Sequence, residues 1–451
     1  MIFGTDGVRG IGGEGLLSPD SIDRLGSAIA LHMARQGCRD GTVLVARDTR
    51  LTGPELEKII SSSLQRAGCQ THHAGVLPTP AVSVLLAQGR ADLGIVISAS
   101  HNPPEFNGIK LISSDGSKLT EAQERMISED HVLQVGAPST EVEIEINPDL
   151  RNEYLELLLS SFPPGKFLEG LSLVLDCACG AGSGLAPEVF RRAGAEVTTL
   201  HDQPDGARIN VDCGSLHPET LGAEVIRHGA QLGIALDGDA DRALLVDEAG
   251  DLVDGDDVIV IWARSLQESG QLDPAVVALT TLSNVGVEEY LNQCGISVIR
   301  TDVGDRAVAA ALRKSGGLLG GEPSGHIIHH SEAATGDGIR TGLSIALRIM
   351  ESQRSLSDLR AGIVHFPQQQ RTLRIVDRPE IEDLQHLSGA IEKAQQALGD
   401  AGRIVVRYSG TEPLLRIFVE ARSSDDVSRW SDHIENSARM ESALGITPEI
   451  A

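Results

Sequence analysis

Short apolar runs alternate along the chain with amphipathic stretches, a pattern that predicts strands alternating with helices and mostly parallel sheets. Thr42–Ala46 reads as a strand opening onto Arg47-Asp48-Thr49-Arg50, followed by a helix over Gly53–Ala67. Leu93–Ile97 is a second strand, delivering the chain into Ser98-Ala99-Ser100-His101-Asn102-Pro103-Pro104. Leu171–Leu175 is a third, followed by a glycine turn and a helix near Pro187–Ala193, and Leu232–Leu236 is a fourth, ending at Asp237.

The periodicity fails at Gly136–Asn147, at Asp247–Asp257 and at Phe366–Gln370, where three glutamines follow one another. These breaks suggest four segments: 1–150, 151–250, 251–366 and a smaller α+β one over 367–451. The first three are expected to be α/β domains with mixed or parallel sheets. Strand–loop–helix grammar recurs, yet no short repeat or low-complexity tract is visible. A chain of 451 residues also fits about three domains, give or take one.

Charge narrows the partners. With 38 basic and 64 acidic residues the formal net charge is −26, which repels nucleic acid and anionic membranes. It repels phosphorylated metabolites too, so any phosphate site must be a local island of Arg, Lys, backbone N–H or metal. The six cysteines form no C-x-x-C pair and read as free thiols or small buried residues. The N-terminus lacks a signal peptide's basic start and apolar stretch, and no apolar run nears the ~18 residues of a membrane span. A cytoplasmic protein is expected.

Candidate chemistry begins at Asp237-Gly238-Asp239-Ala240-Asp241-Arg242. Carboxylates at every second position point to one side if extended geometry continues past the strand. Their repulsion is costly unless a cation sits among them, and oxygen ligands suit a hard ion such as Mg²⁺. An EF-hand is excluded, because Arg242 stands where the calcium loop needs Gly and the flanks are strand-like. Ser100 sits on a stiff loop at a sheet edge. No G-x-S-x-G elbow surrounds it, and His101 is badly placed as an aligned base, so the alternative to a plain turn serine is a covalent phosphoryl carrier.

Arg407-Tyr408-Ser409-Gly410-Thr411-Glu412-Pro413, with Arg416 on the next strand, gathers hydroxyls, a glycine and guanidiniums into an anion site. In Gly320-Gly321-Glu322-Pro323-Ser324-Gly325-His326 the glycines suggest a close approach to a ligand, with Glu322 and Ser324 able to bond sugar hydroxyls. Gly180-Ala181-Gly182-Ser183-Gly184 lacks the dinucleotide spacing and reads as a strand-to-helix turn. Lysine occurs only six times, which singles out Lys110 just downstream of Ser100.

Taken in order, Ser-Ala-Ser-His-Asn-Pro, Asp-Gly-Asp-Ala-Asp-Arg, Gly-Glu-Pro-Ser-Gly-His and Arg-Tyr-Ser-Gly-Thr-Glu-Pro resemble the α-D-phosphohexomutase family from Phe3 to about Arg416. The opening Phe3-Gly4-Thr5-Asp6-Gly7-Val8-Arg9-Gly10 resembles its bacterial phosphoglucosamine mutase branch. The resemblance implies four domains around a central cleft, each giving one loop. It implies Ser100 as phosphoserine and metal ligand, with Asp237, Asp239 and Asp241 completing one Mg²⁺ site per subunit. Glu322 and Ser324 would contact the sugar. Arg242, Arg407, Ser409, Gly410, Thr411 and Arg416 would also hold substrate, and Arg9, Lys110 and His326 would act near the reacting groups. The implied reaction interconverts glucosamine 6-phosphate and glucosamine 1-phosphate through a sugar bisphosphate.

The partner implied is a small phosphosugar, with neither nucleic acid nor membrane, and a homodimer stays open. The sequence departs from the family at Pro323, where the phosphoglucosamine branch usually has Gln and the other branch Met, and at Asp302 and Ala307. Sugar specificity is therefore open to the phosphomannomutase/phosphoglucomutase alternative. A silent metal- and phosphosugar-binding protein is the reading from another class, and the intact Ser100 argues against it.

Overall fold

The computed structural model describes residues 2–4, 6–136, 142–409 and 413–446. The chain divides into two compact units, one of Met1–Thr280 with Ile296–Ala361 and one of Thr281–Gly295 with Gly362–Ala451. The larger unit holds three sheets. The first is built from β1 (Val8–Ile11), β2 (Thr42–Arg47), β3 (Gln70–Val76), β4 (Leu93–Ile97) and β5 (Phe106–Ser113), in the order β1-β5-β4-β2-β3. The second comprises β6 (Ser172–Asp176), β7 (Glu196–Leu200), β8 (Leu232–Leu236), β9 (Ala243–Val246) and β10 (Leu252–Val253), ordered β10-β9-β8-β6-β7. The third comprises β11 (Val276–Thr280), β12 (Ser297–Thr301), β13 (Leu319–Gly321) and β14 (Ile327–His329), ordered β12-β11-β13-β14.

These sheets share one topology that the sequence conceals. In each, two strands pair in parallel, a third joins them in parallel beside the first, and a fourth returns antiparallel to the third. The third strands, β4, β8 and β13, are buried at every residue. Cover on both faces explains why β4 and β8 read as unbroken apolar runs. In each sheet the loop between the third strand and its antiparallel partner leaves the strand's C-terminal end. In open α/β sheets that is where ligands bind.

Local expectations match closely. The helix after β2 spans Gly53–Arg66, while β6 begins one residue later than its apolar run suggested, and the helix after it covers Leu185–Arg192. Two breaks turn out to be structured. Asp247 accepts backbone N–H groups of Ala249 and Asp251, closing a turn that lets β10 pair with β9. Gln368–Gln370, read as an interruption, begins a strand.

That strand belongs to the smaller unit, whose sheet has the order β15 (Gln368–Arg374), β17 (Leu414–Ala421), β16 (Gly402–Tyr408). The glutamines alternate in exposure along β15, so polar side chains fit one solvated face while Leu373 enters the core. Helices Gln385–Leu398 and Ser424–Arg439 supply Leu387, Trp430 and Ile434 to that core. Helix Val285–Gln293 belongs here as well: the Val285 amide donates to Glu420 Oε1 at 2.9 Å. Among the described residues no helix is long and apolar enough to cross a membrane.

Candidate active site

Ser100 follows β4 in the left-handed region, with φ 52°, and is 1% exposed. Its hydroxyl donates to Asp237 Oδ2 at 2.6 Å, and its amide donates to Ser98 Oγ at 2.9 Å. His101 Nδ1 lies 3.4 Å from the hydroxyl, a long contact. Burial, then Arg242 and Arg9, push the His101 pKa down to about 4. His101 is therefore neutral at pH 7.

Asp237, Asp239 and Asp241 are all buried, and one oxygen of each lies within 4.8 Å of the others. The alternation predicted for them arises differently. Ala240 N–H donates to Asp237 O at 3.1 Å and Ala240 has φ 55°, so a turn, rather than a continued strand, gathers the carboxylates. Gly238 is required there. A Cβ on it would lie 2.5 Å from Ser100 O, so a side chain would push the two loops apart.

The cation that the carboxylates need is partly the protein's own. Lys110 on β5 is 2% exposed; its Nζ donates to Asp239 Oδ2 at 2.7 Å and Asp241 Oδ2 at 3.4 Å, and lies 3.1 Å from Asp6 Oδ2. Burial opposes the Lys110 charge, but Asp239, Asp6 and Asp241 outweigh it and hold its pKa well above the usual value. The same attraction outweighs burial at Asp241 and holds that carboxyl well below its usual range. Asp237 lacks this help, and burial followed by its two carboxylate neighbours raises it well above the ordinary value. Among the described residues, Asp239 Oδ1 and Asp241 Oδ1 are buried without a hydrogen-bond partner. Orphaned oxygens beside the Ser100–Asp237 pair suit a hard divalent cation.

Around this centre Arg9 donates to Asn102 Oδ1 at 2.8 Å and to Asp6 Oδ2 at 2.7 Å. The Arg242 amide donates to Asp237 Oδ1 at 3.2 Å. His326 Nε2 accepts the Gly336 amide at 3.0 Å, which leaves the ring proton on Nδ1, facing Asp241 Oδ2 at 3.6 Å. From the third sheet, Glu322 Oε1 accepts the Gly304 amide at 3.0 Å, while the buried Ser324 Oγ has no partner among the described residues. The glycines of this motif have another role than the one expected. Gly320 and Gly321 lie in β13, where Cβ atoms would sit 2.7 Å from Ala278 O and 2.5 Å from His326 O. They admit close strand and loop packing.

Four family models match the chain: the phosphoglucomutase/phosphomannomutase alpha/beta/alpha domains I, II and III over residues 1–132, 152–250 and 254–365, and the C-terminal domain over 373–437. The chain belongs to the phosphoglucomutase/phosphomannomutase family. It is 42% identical to the phosphoglucosamine mutase of Alkalilimnicola ehrlichii, with 99% of each chain covered. It is 40% identical to that of Syntrophus aciditrophicus, covering 98% of this chain and 99% of the relative. Among solved structures, a phosphoglucomutase/phosphomannomutase family protein from Burkholderia thailandensis superposes with a TM-score of 0.81 at 25% identity, over 99% and 98% of the two chains.

In this phosphoglucomutase/phosphomannomutase chain, loops from all three sheets of the larger unit meet at the site. Ser100, Arg9, Lys110, Asp237, Asp239, Asp241, Arg242 and His326 form one linked set of contacts, and Glu322 with Ser324 lies on the loop ending at His326. In the smaller unit, Arg407 and Arg416 stand directly opposite each other on β16 and β17, and the buried Ser409 donates its amide to Leu414 O at 2.8 Å. Gly410 and Thr411 lie outside the described residues.

Several site residues escaped the sequence reading. Thr79 Oγ1 donates to Asp239 Oδ2 at 2.6 Å, and nothing in its surroundings signals this. Lys118 bridges Asp6 and Asp305, and Asp305 Oδ2 lies 3.6 Å from His326 Nε2. Lysine scarcity applied to Lys118 as well as to Lys110. Asp48, Arg50, Ser98 and Asn210 all hold the Ser100 loop, and only the strand before Arg47-Asp48-Thr49-Arg50 hinted at them.

Proposed function

We propose that this chain interconverts glucosamine 6-phosphate and glucosamine 1-phosphate, the reaction of a phosphoglucosamine mutase, with Ser100 as covalent carrier. The observation that carries the reading is the Ser100 hydroxyl held 2.6 Å from Asp237 within a buried carboxylate trio. The relatives of that name, at 40% and 42% identity over nearly the whole chain, support the substrate.

Ser100 passes its phosphoryl group to the free hydroxyl of the sugar phosphate. The phosphorus–Ser100 oxygen bond breaks, a bond to the sugar oxygen forms, and the proton of the sugar hydroxyl ends on Ser100 Oγ. The bisphosphate so formed presents its other phosphate; the bond from that phosphorus to the sugar oxygen breaks, Ser100 Oγ takes the group, and the Ser100 hydroxyl proton passes to the freed sugar oxygen. Ser100, Asp237, Asp239 and Asp241 would hold a Mg²⁺ ion, which supplies neutralisation of charge at the transferring group. Lys110 and Arg9 add fixed positive charge beside it, and His326 offers an Nδ1 proton. Glu322 and Ser324 meet sugar hydroxyls, with the unpartnered Ser324 Oγ ready to pair. Arg407, Ser409, Gly410, Thr411 and Arg416 grip the phosphate that is not reacting, and Arg242 completes the substrate contacts.

A coupled assay over glucosamine, mannose and glucose phosphates tests the substrate. The expected result is a kcat/KM for glucosamine phosphate at least about tenfold above the others, a difference of ~1.4 kcal/mol. The second reading, phosphomannomutase/phosphoglucomutase, is favoured by Pro323, which offers no side-chain donor at its position between Glu322 and Ser324. Faster turnover of mannose or glucose phosphates would establish it. Intact mass should show a fraction of the enzyme one phosphate heavier.

A further inference from the structure

The Ser100 loop is held by a side chain that reaches neither the carboxylate trio nor the sugar loop. Arg50, on the turn after β2, is 0% exposed. Its amide and Nε both donate to Asp48, each at 2.9 Å. Its Nη2 donates to Ser100 O at 2.9 Å and Asn102 O at 2.7 Å. Its Nη1 donates to Phe106 O at 2.8 Å and also to Pro103 O. One guanidinium thus gathers four carbonyls from the Ser100–Phe106 stretch.

Two further anchors converge on the same stretch. Asn210, from the second sheet's loops, donates through Nδ2 to Ser100 O at 2.9 Å and Asn102 O at 3.1 Å. Asp48 Oδ2 accepts from Ser98 Oγ at 2.6 Å, and that oxygen in turn accepts the Ser100 amide.

Most of the 100–105 stretch lies outside regular secondary structure, so its inward carbonyls have no ladder to satisfy them, and buried carbonyls require donors. The rigid fork of arginine supplies several at once, which lysine cannot do. Ser100 also adopts φ 52°, a conformation that persists in a residue with a side chain only where its surroundings impose it. Strain of this kind at a nucleophile calls for a clamp.

We propose that Arg50, together with Asn210, is a positioning residue that sets the Ser100 backbone so that Oγ meets Asp237. It governs the rate of phosphoryl transfer and contributes nothing to substrate binding. The proposal rests on the reading of Ser100 as carrier and deepens it.

The test uses full-length Arg50→Lys and Asn210→Ala, with kcat expressed per folded molecule from urea unfolding. Amide hydrogen exchange over residues 98–106 should quicken at least about tenfold in both variants, with strands β2 and β4 unchanged. A displacement near 1 Å costs about 100-fold in rate, so kcat should fall about 30- to 100-fold in Arg50→Lys and less in Asn210→Ala, with KM within about threefold. Phosphorylation of Ser100 by added glucose 1,6-bisphosphate, followed by intact mass, should slow by the same factor. Wild-type exchange in the variants, or wild-type kcat per folded molecule, overturns the proposal, as does a raised KM at constant kcat. If wild-type Ser100 accepts no phosphate, the carrier reading has failed and the exchange comparison alone decides the clamp. If Arg50→Lys does not fold, Asn210→Ala decides it.

Discussion

Replacing Asp239 by Asn removes one negative charge at nearly constant shape and asks which cation the carboxylates are arranged around. Repulsion among three carboxylates, taken alone, says that the change should stabilise the metal-free protein. The structure says the opposite. Asp239 Oδ2 is 2.7 Å from Lys110 Nζ, and at an effective dielectric of about 20 that attraction is ~6 kcal/mol. At 4.8 Å, the outer limit of the separation from Asp241, the repulsion relieved is at least ~3.5 kcal/mol by the same relation, and Asp237, raised well above its ordinary value, adds little while it holds its proton.

Breaking a buried pair costs about 3–5 kcal/mol when the remaining charge is stranded. Lys110 keeps Asp6 and Asp241 as partners, so a loss of about 2–3 kcal/mol is expected, below that range. Urea unfolding in EDTA measures it directly. Adding Mg²⁺ at about 100 times its Kd should stabilise wild type by ~2.7 kcal/mol and the variant by less than half as much. Turnover should fall at least ~100-fold, equivalent to ~2.7 kcal/mol of barrier. A variant as stable as wild type in EDTA, or more so, would refute the pairing with Lys110. An unchanged gain on adding Mg²⁺ would refute the metal assignment.

Ser100→Ala should reduce turnover below a few per cent and abolish the phosphate mass shift, while the unfolding free energy moves by no more than ~1.5 kcal/mol for one lost hydrogen bond. Retained activity would rule out the carrier role. With Arg416 gripping the phosphate as proposed, Arg416→Ala would remove a charge-assisted contact of ~1.5–3 kcal/mol, so KM for sugar phosphate should rise about 10- to 150-fold, whereas a surface arginine would leave it nearly unchanged. Asp237 is raised well above its ordinary value, so above the unfolded carboxyl pKa of about 3.9 and below its own folded value the native protein holds a proton there that the unfolded chain has lost. Ligation to Mg²⁺ should release that proton. Calorimetric titrations in two buffers of different ionisation enthalpy should therefore give different heats, and identical heats would count against it.

More than the elements could be read from the order of residues. Buried parallel strands must be apolar on both faces, so Leu93–Ile97 and Leu232–Leu236 announced themselves as runs, and the chemistry followed immediately at their ends. Ser100, the aspartate trio, the Glu322 loop and the arginine turn were each singled out as candidates because several reactive residue types stood within a few positions of one another. Arg407 and Arg416 were tied together by the hairpin that a tight turn implies.

Which partners those groups meet depends on how the folded chain brings distant segments together. The topology common to the three larger sheets leaves no sequence repeat, because hydrogen-bond order among strands constrains the backbone and only weakly the side chains. Gly320 and Gly321 looked like ligand contacts and instead make room for Ala278 O and His326 O. Lys110 as the counter-charge of Asp239, Thr79 on the same carboxylate, and Arg50 with Asn210 on the Ser100 carbonyls all join residues far apart in the chain. A buried ion pair or a satisfied carbonyl is a property of distance in space. Nothing in the identity of Thr79 or Asn210 reveals what stands 3 Å away until the strands between them are laid side by side.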